Sequence, residues 1–308
     1  MANSEANYRA EEQRLWASVD LTPTEQFLSL ARTGATVRCL TVGSGDPIVF
    51  VHGGSNAGSS WVDLASRLVN RQCVLLDRPG CGLSPRLPTP LTDAAALARF
   101  ADDFLADVFD ALGLPTADVI GTSFGGYFSL RGVASMPERV PHLVLLGYSI
   151  GIEMQYVPPM MRMSVIPGLG QLMTRMSPPK AAIKPMLRQI GLKGALASGR
   201  FDQGRVNWFR SLLVNTDTML NELRDLPKLM TPIRGVSPAL RHSDENLARI
   251  TSPTLLLWGR DDPMGDESVA TAFASRFPSA VLEMVDGGHA VWMDDPDAIA
   301  ARVADFLA

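Results

Sequence analysis

The 308-residue sequence contains no apolar run approaching the roughly 20 residues that a membrane-spanning helix requires, so no membrane span is expected. It is poor in cysteine. Cys39, Cys73 and Cys81 are odd in number and lack metal-ligand spacing, which argues against a disulfide framework and predicts buried thiols in a reducing compartment. There is no basic excess: 28 Lys+Arg against 32 Asp+Glu leave a net charge of −4, and nucleic acid is not expected as a ligand. Residues Met1–Arg9 lack the basic segment and apolar core of a secretory leader, so a cytoplasmic protein is expected. No internal repeat, low-complexity tract or glycine-rich loop with a phosphate-binding lysine is present, and neither cofactor nor metal is implied. Histidine is scarce as well. Chemistry that needs an imidazole has only His52, His142, His242 and His289 to draw on.

What is present reads as a compact globule, 46% hydrophobic and 19% charged. Residues 5–18 suit a short amphipathic helix, a loosely docked arm with Tyr8, Leu15 and Trp16 available for packing. Phe27–Leu30 and Thr36–Val42 flank a turn and predict an opening hairpin. Ile48–Val51 is apolar without alternation, as expected of a strand buried on both faces. A helix around Ser60–Val69, a strand at Val74–Leu76, a helix from Asp93 to Leu112, a strand at Ala117–Ile120 and another at His142–Gly147 follow. This alternation predicts an α/β fold, a mostly parallel central sheet with helices on both faces.

The rhythm breaks after Tyr148. Residues 149–245 show no buried-strand run, carry repeated prolines and suit several short helices; the sheet pattern resumes at Thr254–Gly259. The expected organisation is an arm (1–25), a core in two pieces (26–148 and 246–308) and a helical lid (149–245) inserted between two late strands.

The chain is organised around Gly121-Thr122-Ser123-Phe124-Gly125-Gly126, a strand-to-helix turn that holds a serine between glycines. Such a turn strains the serine backbone and exposes its hydroxyl at a helix start, where N–H groups favour negative charge. A serine nucleophile needs a base, and the base needs a carboxylate to fix its tautomer. His289, in a Gly287-Gly288-His289 loop after a strand-like run, is the candidate base. Asp262, just past Gly259, is the candidate acid, with Asp261 as its competitor. His142 and His242 are read as ordinary surface histidines. In His52-Gly53-Gly54-Ser55 the glycines let a backbone N–H face the pocket; Gly54, or failing it Ser55, would form an oxyanion hole with the N–H of Phe124.

With Asp77-Arg78-Pro79-Gly80-Cys81-Gly82-Leu83-Ser84 added, four landmarks stand in an order that resembles a lid-bearing member of the α/β-hydrolase superfamily, over about residues 26–148 and 250–308. The resemblance implies the α/β-hydrolase fold and a Ser123–Asp262–His289 triad. Relatives such as haloalkane dehalogenases and epoxide hydrolases carry an aspartate at the elbow, so Ser123 points instead to an acyl-enzyme. The implied partner is a small-molecule apolar ester or lactone, with the substrate-binding residues expected somewhere in the lid. Nine of the 14 methionines lie there, and pliable thioethers suit an apolar acyl or alcohol group.

An alternative is a carbon–carbon bond hydrolase of ring-fission products, using the same triad. The 14 Lys+Arg against seven Asp+Glu of residues 149–250 would suit its acidic substrates. Those relatives tend to have tryptophan directly after the catalytic histidine, whereas Ala290 and Val291 here precede Trp292, and their lid arginine motif is missing. A non-catalytic binding protein on the same scaffold is the third reading.

Overall fold

A computed structural model describes residues 2–91, 93–166, 169, 178–224, 230–231 and 235–308. Eight strands form one sheet: β1 (Thr24–Ser29), β2 (Thr36–Val42), β3 (Pro47–Val51), β4 (Gln72–Leu76), β5 (Asp118–Thr122), β6 (Leu143–Ser149), β9 (Thr254–Gly259) and β10 (Ala280–Val285). The order is β1-β2-β4-β3-β5-β6-β9-β10, antiparallel in the β1–β2 and β2–β4 pairs and parallel elsewhere.

Both faces of the sheet are covered, which is why its central strands read as unbroken apolar runs. Successive side chains point to opposite faces. Val49 and Val51 join one apolar cluster while Ile48 and Phe50 join the other, and Leu256 and Trp258 oppose Leu255 and Leu257 in the same way. The helices α3 (Ala94–Leu112) and α4 (Ser123–Ser135) cover the first face through Phe104, Phe109 and Phe128. The second face is covered by α1 (Ala2–Ala17), the short α2 (Val62–Ala65) and the C-terminal helix Pro296–Phe306. Each fully buried side chain of this size contributes about 1.5–3 kcal/mol, so the double cover is what makes the sheet stable.

Local signals set the ends of α3. The Asp93 carboxylate accepts from the N–H groups of Ala95 and Ala96, and Gly113 ends the helix in the left-handed region at φ 66°. The helix expected over Ser60–Val69 is much shorter. A 3-10 turn over Gly58–Trp61 leads into α2, after which Arg67 and Leu68 donate to carbonyls only three residues back, so the chain tightens into turns.

The arm is not loose, in contrast to expectation. Tyr8, Leu15 and Trp16 are buried, and so is Glu12. Arg38 points from β2 into the same region, where a lone guanidinium would be costly. It pairs with Glu12 at 2.6 Å, Asp77 at 3.1 Å and Glu25 at 2.8 Å, while Trp16 donates to Ser59 Oγ at 2.9 Å. Pulling α1 away would strip Arg38 of both its bonds to Glu12 and uncover Tyr8, Leu15 and Trp16, which accounts for the close docking.

Between β6 and β9 the described residues carry helices Pro159–Ser164, Lys180–Gln189, Lys193–Ser198, Gln203–Asn215, Thr218–Arg224 and Asp244–Ala248. This insertion is not free of strand: β7 (Met230–Thr231) pairs antiparallel with β8 (Gly235–Val236), two-residue segments too short to leave a periodic signal. Met173 and Met176, counted among the insertion's methionines, lie outside the described residues.

Candidate active site

β5 runs directly into α4, and Ser123 is the first helical residue. Its φ of 52° lies in the left-handed region that non-glycine residues avoid. Neighbours hold that conformation in place. Thr122 Oγ1 donates to the Leu146 carbonyl at 2.5 Å, and the Ser123 carbonyl accepts from Ile150 N at 3.0 Å. Gly125 is required for a separate reason: a Cβ there would collide with the carbonyls of Val51 and His52. Ser123 thus sits at the N-terminus of α4, where free backbone N–H groups and the helix dipole favour negative charge.

The turn after β9 carries Asp262 inward and leaves Asp261 exposed. Asp262 Oδ2 accepts from His289 Nδ1 at 2.9 Å and from Tyr148 N at 2.9 Å, and Oδ1 accepts from Met264 N at 3.0 Å. Three donors hold the carboxylate in one orientation. With Nδ1 donating to it, His289 has Nε2 left as the ring nitrogen able to accept a proton. The loop carrying His289 is tied down by Asp294, which accepts from Gly288 N at 2.8 Å. Burial raises the Asp294 carboxyl above its usual range, while that N–H opposes the rise.

His52 is fully buried beside this centre. Its Nδ1 lies 2.7 Å from the Gly53 carbonyl and its Nε2 accepts from Arg78 N at 3.0 Å, so the ring is neutral with the proton on Nδ1. Burial, followed by the nearby Arg78 charge, keeps its pKa well below the ordinary histidine value. Arg78 donates to the carbonyls of His52 and Gly53, each at 2.9 Å, and its guanidinium lies 4.7 Å over the Phe124 ring. One side chain therefore braces both Gly53–Gly54 and the residue after Ser123. Ser55, next in the loop, has φ 51°.

The other histidines lie elsewhere. His142 pairs with Asp118 at 2.9 Å. His242 is not at the surface as expected: it is buried against Tyr127 at 5.0 Å between ring centroids and 3.2 Å from the Ile150 carbonyl. Burial, then the Arg131 charge, lowers its pKa to about 4.

Ser123 and His289 stand where two cavities meet. One is lined by Met161, Met186, Leu213, Met219, Glu222 and Leu223 from the insertion. The other is lined by Leu187, Leu192, Phe201, Trp208 and Trp292 among others. Gly54 borders both. No lysine or arginine appears among the described lining residues of either, and Lys180, Lys184, Arg188, Lys193 and Arg200 are exposed. The insertion's described cations therefore stay out of both cavities, most of them exposed and Arg205 half-buried against Asp63. Sequence reasoning missed Arg78, Tyr148, Glu222 and Asp294 as individual contributors; only Arg78 lay within a recognised motif. Among the described residues no group of three or more His, Cys, Asp or Glu side chains is arranged to hold a metal, and no helix is long and apolar enough to cross a membrane.

The family model for alpha/beta hydrolases matches residues 48–302. A 2-hydroxy-6-oxononadienedioate/2-hydroxy-6-oxononatrienedioate hydrolase from Cupriavidus pinatubonensis is 24% identical over 297 residues, covering 92% of this chain and 95% of that protein. Among solved structures, naproxen esterase from Bacillus subtilis superposes with a TM-score of 0.77 at 18% identity, covering 100% of this chain and 99% of that one. The 2-hydroxy-6-oxo-6-phenylhexa-2,4-dienoate hydrolase from Rhodococcus superposes with a TM-score of 0.72 at 17% identity, covering 93% and 99%.

Proposed function

The chain belongs to the alpha/beta hydrolase family, and from that premise we propose that it is a serine hydrolase cleaving a neutral, largely apolar carboxylic ester or lactone. Ser123 Oγ attacks the carbonyl carbon as its proton passes to His289 Nε2. The N–H groups of Gly54 and Phe124 take the negative charge of the tetrahedral intermediate. His289 then protonates the departing alcohol, and a water deprotonated by the same imidazole releases the acid from Ser123. Asp262 holds the imidazole and favours its cationic form.

The observation that carries this reading is the pair of apolar cavities meeting at Ser123 and His289, one suited to each side of an ester, without a described cationic side chain in either wall. Three buried free thiols fit a reducing compartment, and so a cytoplasmic enzyme.

The relatives favour a second reading. Curated relatives at 24% identity are named 2-hydroxy-6-oxononadienedioate/2-hydroxy-6-oxononatrienedioate hydrolases, which fits the carbon–carbon bond reading. The pocket wall argues the other way, because it offers such an acid a carboxylate, Glu222. The deciding experiment is hydrolysis of p-nitrophenyl esters from acetate to decanoate beside a 2-hydroxy-6-oxo-dienoate, with Ser123→Ala as control. An ester optimum that vanishes in the variant supports the first reading; turnover of the dienoate alone replaces it with the second.

A further inference from the structure

Glu222 stands apart in its surroundings. It is a buried carboxylate in a wall otherwise built of Met161, Met186, Leu213, Met219 and Leu223. Its Oε1 accepts from Arg78 Nη2 at 3.1 Å and lies 3.5 Å from Cys81 Sγ. Its Oε2 is bonded by none of the described residues and faces Gly54, so closely that a Cβ on that glycine would come within 3.2 Å of it. Gly53, one residue earlier, is packed directly against the Ser123 side chain. The free oxygen thus looks into the cavity beside the place where a reacting carbonyl would sit. A carboxylate oxygen in an apolar, water-poor wall costs free energy unless a donor meets it, and it repels a like charge more strongly than it would in water.

We propose that Glu222 is a specificity-determining residue: its free oxygen accepts a hydrogen bond from a hydroxyl or ammonium group carried near the substrate's reacting carbonyl, and it turns away substrates bearing a second carboxylate there. Arg78 holds the other oxygen and so fixes the orientation of the acceptor. This rests on reading Ser123 and His289 as the reacting centre of an ester hydrolase, and it narrows the substrate class to esters with a donor close to the carbonyl.

Two measurements test it. The first is kcat/KM on ethyl butanoate, ethyl 3-hydroxybutanoate, ethyl 3-aminobutanoate and monoethyl succinate, for the native protein and for Glu222→Gln. The native protein should prefer the hydroxy and amino esters to monoethyl succinate by about tenfold or more, as an avoided like-charge contact implies. In Glu222→Gln the succinate should gain on the others by roughly the same factor. A merely structural role would lower all four alike and leave the ratios unmoved, which would overturn the proposal.

The second is equilibrium binding of hexylammonium, hexan-1-ol and hexanoate, which requires no turnover. Native protein that binds hexanoate as well as hexylammonium would overturn the proposal without any variant. The expected order, found in a protein that hydrolyses no ester, would leave Glu222 in its role and remove the ester reading instead. Should Glu222→Gln not fold, Glu222→Asp, which keeps the charge but withdraws it from Gly54, should weaken the preference for hexylammonium; an unchanged preference would count against the proposal.

Discussion

Ser123, Asp262 and His289 stand at or just beyond the ends of sheet strands, whereas Met161, Met186, Phe209, Leu213, Met219 and Leu223 come from helices inserted between β6 and β9. In the first group hydrogen bonds fix the Asp262–His289 pair, Asp262 accepting three, and Ser123 is held through its backbone by Ile150 N. The second is held by packing, and much of it is methionine, which adapts its shape at little cost. Reacting groups need positions good to a fraction of an ångström; an apolar wall needs only volume and dryness. A strand end supplies the former and a set of short helices the latter. Glu222 crosses this division, because it arises from the insertion yet bonds Arg78, which braces the loop at the sheet edge.

If the sheet edge carries the chemistry, Ser123→Ala should cost roughly 10⁴-fold or more in kcat on the best ester while leaving the fold intact, read by steady-state kinetics and circular dichroism. Retention of more than a percent of activity would break the comparison at its root. Asp262→Asn should cost on the order of 10³–10⁴-fold, by the loss of the tautomer that its carboxylate enforces. Asp261→Asn, one residue away but exposed, should stay near the native rate, and the opposite ranking would reverse the assignment.

His242 sharpens the comparison from the stability side, at the point where the insertion returns to the core. Its pKa is about 4 in the fold because of burial, below the ordinary histidine value, so the unfolded chain binds its proton first as pH falls. Its stabilising contribution is complete above about pH 6.5 and is lost progressively down to about pH 4, on the order of 3 kcal/mol in all. Urea unfolding at pH 7.5 and pH 5 should show a loss that shrinks in His242→Gln. An equal loss in both would mean that the folded and unfolded chains take up the His242 proton alike, so that burial does not lower its pKa. A modest effect is expected in the wall: Met219→Ala should change kcat/KM on long-chain esters by roughly tenfold or less and hardly touch acetate. A uniform loss at every chain length would show that the insertion reaches the chemistry itself.

The parallel sheet and its order of elements were legible because burial on both faces writes itself into a chain as unbroken apolar runs, as in Ile48–Val51 and Thr254–Trp258. The elbow was legible because a strained turn tolerates only small neighbours, so glycines flank Ser123. Helix length after Trp61 was not, since the same residues support i→i+4 or tighter turns and only packing chooses. The close docking of α1 was hidden because its reason, Arg38, lies 26 positions from Glu12 in the chain.

The sequence by itself determined the alternation of strands and helices, the serine at the turn and the short set of histidines and aspartates able to serve it, because these depend on local sterics and on residue chemistry. Tertiary structure alone decided that Asp262 turns inward and Asp261 outward, that His242 is buried, that the described cations of the insertion stay out of both cavities, and that Glu222 meets Gly54 and Arg78. Each of those depends on which distant surfaces come together. A carboxylate or an imidazole carries the same chemistry in every sequence until its neighbours set its hydration and its partners.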